Sequence, residues 1–136
     1  MVLKSLHKKT KGDIAEMRIA ADLLKRGWHV LFPYGENNRY DLVAEKNGKF
    51  LKVQVKYVTP KNGSLDVNCR SSNNWNVISY TAKEIDYIGV FDSIGGNIYY
   101  VPSSQMNKNL FKIRIEPSKN NQKKRVNCSE NFSEIK

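Results

Sequence analysis

With 136 residues, the chain has room for one domain with a modest core and too little for separate catalytic and binding domains. Its 23 Lys and Arg against 13 Asp and Glu leave a net charge of +10 and a pI of about 9.6, a balance suited to a polyanion such as nucleic acid and also compatible with a membrane surface or the ribosome. No apolar run is long enough for a membrane-spanning helix, and Cys69, Cys128, His7 and His29 show neither a CxxC pair nor a zinc-ligand spacing.

The first ten residues carry Lys4, Lys8 and Lys9 but no stretch apolar enough for a secretion signal. Together with the two cysteines this leads us to expect a reducing, cytoplasmic compartment, with the protein associated with the nucleoid. The basic segment Lys4 to Lys11 is either solvated or close to phosphates.

Lys11 to Gly27 has the period of a helix, with Lys25 and Arg26 in its last turn and Gly27 as its stop. Ile19, Ala20, Leu23 and Leu24 form the apolar stripe, and Arg18, Asp22 and Lys25 the opposite side. Glu16 falls within the stripe, where an ionised acid needs a partner or a cation. His29 to Phe32 reads as a short strand closed by Pro33. Tyr34 to Arg39 follows as a polar loop, in which Asn37, Asn38 and Arg39 are candidates for contacts with DNA or simply a turn.

Arg39 to Glu45 and Phe50 to Lys56 alternate apolar and polar residues around Asn47-Gly48, the strongest short hairpin signal. A two-residue turn there sets Lys46 opposite Lys49, Glu45 opposite Phe50, Val43 opposite Lys52 and Asp41 opposite Gln54. Lys56 then projects from the same face as Gln54. A carboxylate, an amide and an ammonium converge at one end of the hairpin, and a slip of one residue would scatter them. On a strand face these residue types are often merely wet. An acid inside the apolar stripe of the preceding helix turns the balance toward a shared site of Glu16, Asp41 and Lys56.

Thr59 to Ser64 reads as a turn, Leu65 to Arg70 as an alternating strand, and Ser71 to Asn76 as a polar loop holding Trp75, a residue that stacks on a base or caps the core. Thr81 to Glu84 has the form of a capping box, with a short helix starting at Ala82. Tyr87 to Phe91 and Asn97 to Val101 read as strands around Gly95-Gly96, with Gly89 marking a bulge or close packing. Ser103 or Ser104 caps a brief turn around Met106, and Phe111 to Ile115 gives a last strand. We expect residues 1–116 to form the domain and 117–136 a basic, mobile tail able to wrap DNA.

Gly12-x-x-x-Glu16, Asp41, then Gln54-Val55-Lys56 followed by Tyr57 resemble the PD-(D/E)xK nuclease superfamily, above all its small homing endonucleases of group I introns and the archaeal Holliday junction resolvases. The resemblance covers Lys11 to Tyr57, with a weaker echo in Ile85 to Val90 and Ile98 to Pro102. It departs at Tyr40, where the motif has proline, and at Gln54, where it has a second acid. It implies an α/β fold in a single domain, a central mixed β-sheet flanked by helices in a restriction-endonuclease-like core. It also implies a Mg²⁺-dependent DNA endonuclease, with Mn²⁺ as a substitute ion.

In that reading Asp41, the Val55 carbonyl and Glu16 serve the metal, Glu16 by way of a water. Gln54 orients ligands, and Lys56 polarises the attacking water or steadies the charge of the phosphorane. Lys11, Asn37, Asn38, Arg39, Tyr57, Arg70 and Trp75 are the DNA-binding candidates. Cutting both strands of a duplex needs two such sites, hence a homodimer or higher symmetric assembly. The alternatives are a four-way junction resolvase and a non-catalytic nucleic-acid binder, for which Gln54 is the best argument.

Overall fold

The Asn47-Gly48 turn forms as its residue types dictate, with φ of 53° and 82° at the two positions, the double left-handed geometry that joins strands without splaying them. It connects β2 (Leu42–Lys46) to β3 (Lys49–Val58), and the pairs Lys46↔Lys49, Glu45↔Phe50 and Val43↔Lys52 carry the predicted register. This computed structural model describes residues 6–35, 37–72, 77–79, 84–105, 110–116 and 132–135. β1 (His29–Leu31) pairs with the outer edge of β2. β3 runs parallel to β7 (Tyr87–Asp92), and β7 antiparallel to β8 (Ile98–Pro102), giving one mixed five-stranded sheet in the order β1-β2-β3-β7-β8.

Helix α1 (Lys8–Lys25) lies across one face of this sheet. It begins three residues before the predicted start because the ring Nδ1 of His7 accepts the Lys9 N–H, satisfying a first-turn donor. Gly27, at φ +86°, ends it, and the Trp28 N–H returns to the Leu23 carbonyl at 3.0 Å. The buried arc is Ala15, Ile19, Ala20 and Leu23. Leu24, expected inside, is 59 % exposed, since a step of about 100° past Leu23 carries it off the sheet. Gly89 proves to be a site of close packing: a Cβ there would sit 2.6 Å from Ile19 Cδ1, so glycine is what lets the helix approach β7.

The other sheet face is covered by a second pair, β4 (Ser64–Asn68) and β9 (Leu110–Arg114), whose Leu65, Val67 and Ile113 pack on Ile88, Val90 and Val101. Of the flanking helices that the resemblance implies, α1 is the one α-helix among the described residues. The predicted strand Leu65 to Arg70 divides at Cys69, and β5 (Arg70–Ser72) pairs instead with β6 (Val77–Ser79) as a separate ribbon. Ser103–Gln105 form a single 3₁₀ turn after β8.

The expected helix start at Thr81 to Lys83 lies outside the described residues, as do Met106 and residues 117–131. Near the end of the chain, Phe132 is buried with its ring edge-on to Phe111 at 5.3 Å, and Ile135 joins the core beneath α1.

Candidate functional site

Alternation along β3 divides its side chains between two tasks. Leu51, Val53 and Val55 are buried under α1, while Lys52, Gln54 and Lys56 are half-buried on the opposite face. The ladder with β2 stops at Leu42↔Val53, one residue short of Asp41, and among the described residues no strand pairs with that edge of β3 beyond this point. Asp41 takes over: its N–H donates to the Val53 carbonyl at 2.9 Å, and its Oδ2 accepts the Val55 N–H at 2.8 Å. Asp41 is thus held across the end of the strand by two bonds, one from its backbone N–H and one to its carboxylate. Since N–H and C=O of one residue point the same way in an antiparallel ladder, the Val55 carbonyl faces the gap that β2 leaves.

Glu16 reaches the same place from the middle of α1. It lines a cleft of about 260 Å³ with Asp41, Phe32, Pro33, Gly35, Asn37, Asn38 and Tyr40. Burial pushes the Glu16 carboxyl above its usual range, and the charges of Asp41 and Asp13 add to this against the pull of Lys9. Burial likewise raises the Asp41 carboxyl, opposed by the Val55 N–H and by the charge of Lys56. For Lys56, burial lowers the pKa while Asp41 and then Cys69 oppose the shift, and Arg39 and Lys8 push it further down. Cys69, 2 % exposed, has its thiol raised by burial.

Asp41 therefore couples electrostatically both to Glu16, with which it shares the cleft, and to Lys56, which is outside the cleft's lining. Gln54 shares the face of Lys56 by alternation, but the β2–β3 ladder ends at Leu42↔Val53 and the Asp41 N–H turns to the Val53 carbonyl, so the expected pair of Asp41 with Gln54 is not among the register pairs.

The DNA-binding candidates separate. Asn37 and Asn38 line the cleft, where the Asn38 Nδ2 donates to the Gly35 carbonyl at 3.4 Å. Lys11 and Tyr57 lie on the α1 side of the sheet, the ammonium 5.8 Å from the ring centroid and the ring 5.8 Å from that of Phe91. Arg39 is ion-paired with Glu84. Arg70 opens β5, and Trp75 lies outside the described residues. Sequence reasoning missed the cleft residues Phe32, Pro33 and Tyr40 and the nearness of Cys69 to Lys56. A proline closing a strand just ahead of an acid was the available signal for the first group; none existed for the cysteine.

Among the described residues no group of three or more His, Cys, Asp or Glu side chains gathers to hold a metal, so an all-protein cage is absent from them. Two carboxylates on one cleft, their pKa values raised, together with a main-chain carbonyl at a strand end, are hard oxygen donors. Such a set fits a cation like Mg²⁺, which keeps several waters and takes one or two carboxylates plus substrate oxygens.

The sequence profile described as PD-(D/E)XK endonuclease matches residues 6–135. A solved bacterial homing endonuclease, I-Ssp6803I, superposes with a TM-score of 0.72 at 30 % identity, covering 93 % of this chain and 88 % of that one. Hjc, a Holliday junction resolvase from Archaeoglobus fulgidus, gives a TM-score of 0.47 at 18 % identity over 76 % of this chain and 84 % of its own. Protein 5.3 of Escherichia phage T7 is 44 % identical over 48 residues, 35 % of this chain and 41 % of the phage protein, so this chain spans less than half of that relative's length. Profile and fold agree with the motif order from Gly12 to Tyr57: the chain belongs to the PD-(D/E)XK endonuclease family and has its restriction-endonuclease-like fold.

Proposed function

We propose that this chain is a divalent-metal-dependent, site-specific DNA endonuclease of the homing type, working with Mg²⁺, accepting Mn²⁺, and acting as a homodimer or higher symmetric assembly. The observation that carries the reading is Asp41, its carboxylate fixed on Val55 at the end of β3, facing Glu16 across one cleft with the charge of Lys56 beside it. Asp41, the Val55 carbonyl and Glu16 would hold the cation. When bound, that ion supplies Lewis acidity to the phosphate and a water of lowered pKa.

The remaining work belongs to the chain's own groups. Hydrolysis forms a bond from water oxygen to phosphorus and breaks the bond from phosphorus to the 3′ oxygen, with negative charge building on the phosphoryl oxygens between. Lys56 answers that charge from a half-buried position, where an ammonium counts for more than in bulk water. The same ammonium would polarise the attacking water. Gln54, an amide where the motif has an acid, orients water or phosphate by hydrogen bonds while adding no charge. The net charge of +10 supplies attraction to the phosphate backbone that weakens with salt.

The test incubates purified protein with plasmid and with a synthetic four-way junction in Mg²⁺, alongside Asp41→Ala and Lys56→Ala. Nicking or linearising of plasmid, lost in both variants, supports the proposal. Cutting confined to the junction replaces it with a resolvase. Gel shifts without any cutting leave a non-catalytic binder, the reading that Gln54 favours.

A further inference from the structure

Arg39 is engaged in a contact that no local pattern announces. Its Nε donates to Glu84 Oε2, across 45 positions of the chain. The two side chains are 27 % and 29 % exposed, so the pair is shielded better than one on the open surface. Its two ends are mounted differently. Glu84 stands on a firm base: Ile85 is fully buried, the Asp86 N–H donates to the Lys52 carbonyl at 2.8 Å, and Asp86 Oδ2 accepts the Lys52 N–H at 2.8 Å. Arg39 closes the loop whose Gly35, Asn37 and Asn38 line the cleft, two residues before Asp41. After Asp41 the chain is fastened by the bonds to Val53 and Val55; before it, the Arg39–Glu84 pair ties the cleft wall to the sheet.

We propose that Arg39 and Glu84 are a positioning pair that holds residues 37–41, and with them the Asp41 carboxylate, in place, so that Arg39 serves the geometry of the cleft and not a DNA phosphate. The proposal deepens the nuclease reading and rests on it for its effect on cleavage. The two roles for Arg39 differ in sign. If it awaits a phosphate, Glu84 is a competitor, and removing that acid tightens DNA binding. If it positions the loop, removing the acid loosens Asp41 and slows the chemical step.

The test compares Glu84→Gln, Arg39→Gln and the double variant with the unaltered protein, by cleavage kinetics on DNA and by amide hydrogen exchange. In Glu84→Gln, kcat falls by about tenfold or more while KM stays within about twofold, as a small misplacement of a reacting group requires. Exchange at residues 37–41 quickens in both single variants and stays unchanged in α1, and the double variant is no worse than either single one, as expected of two residues acting through each other. A lower KM with unchanged kcat in Glu84→Gln overturns the proposal in favour of a phosphate contact. Unchanged exchange at 37–41 overturns it as well. That second measurement requires no cutting, so it decides between the two roles even where the unaltered protein fails to cleave and the nuclease reading falls.

Discussion

The two faces of β3 are made from one alternating run of residues and have opposite requirements. Toward α1, Leu51, Val53 and Val55 meet Ala15, Ile19 and Leu23 in a core whose closeness depends on Gly89 having no side chain. Toward the other face, Gln54 and Lys56 stand half-buried, Lys56 coupled to the charge of Asp41, while Ile88 and Val90 of the neighbouring strand pack beneath β4 and β9. One face contributes stability through contact; the other keeps polar groups at the rim of burial, where the Lys56 amine is pushed down and the neighbouring Asp41 carboxyl up. Because a strand has a period of two, the register that fills the core is the same register that brings the polar groups together. Stability and chemistry are therefore separable by substitution although they share a strand.

The largest expected effect belongs to the polar face. Asp41→Asn keeps an acceptor for the Val55 N–H but removes the charge, and cleavage in Mg²⁺ should fall by at least about a thousandfold, or some 4 kcal/mol of barrier. Circular dichroism should stay unchanged. A loss of folding with the loss of cutting would break the separation of faces.

Next in size is the packed face. Gly89→Ala places a Cβ 2.6 Å from Ile19 Cδ1 and 3.3 Å from Val53 Cγ1, and overpacking of this kind costs about 1–3 kcal/mol. The urea midpoint should drop by a matching amount while kcat of the folded fraction holds. Equal stability of variant and parent would show that α1 can move off β7 freely.

What the sequence revealed of these faces follows the distance over which each feature is decided. Asn47-Gly48 fixes the β2–β3 register locally as far as Leu42↔Val53, but counting back one pair further to Asp41 and Gln54 passes the end of the ladder, where the Asp41 N–H turns to the Val53 carbonyl. Glu16 was legible as an acid inside an apolar stripe, although the stripe itself was placed too far round, including Leu24 and omitting Ala15. The cover over the second face was not legible. β4 and β9 pair Ser64 with Arg114 across a long stretch of chain, and nothing near either strand points to such a partner. Arg39 and Glu84 illustrate the same limit: a lone arginine in a polar loop ahead of a candidate catalytic acid looks like a phosphate contact until its partner is seen.

A smaller effect comes from proton linkage at the polar face. The folded protein holds the Asp41 proton above the ordinary value of 3.8, mainly through burial. As pH rises from 3.8 into that window, the unfolded chain carries fewer protons than the folded one. Stability therefore falls with pH there, and the loss persists at neutral pH. Without divalent metal, Asp41→Asn should be more stable than its parent at pH 7, and the difference should shrink as pH drops below 3.8, read from urea midpoints across a pH series. A parent more stable than the variant at pH 7 would mean that Lys56 and the Val55 N–H outweigh burial.

The smallest effect tests how little charge the polar face needs. Gln54 is half-buried one residue before Val55, whose N–H holds the Asp41 carboxylate, so Gln54→Glu adds a carboxylate next to that junction. Cation affinity grows with the number of ligand charges, and Mg²⁺ binding measured by calorimetry should tighten by roughly threefold to tenfold. The same change should lower stability slightly when no metal is present, since the new charge occupies a half-buried position. If affinity rises while cleavage falls, the amide itself takes part, presenting a donor hydrogen that glutamate lacks. If both rise together, the amide at 54 merely leaves the site one charge short, and the polar face works by electrostatics alone.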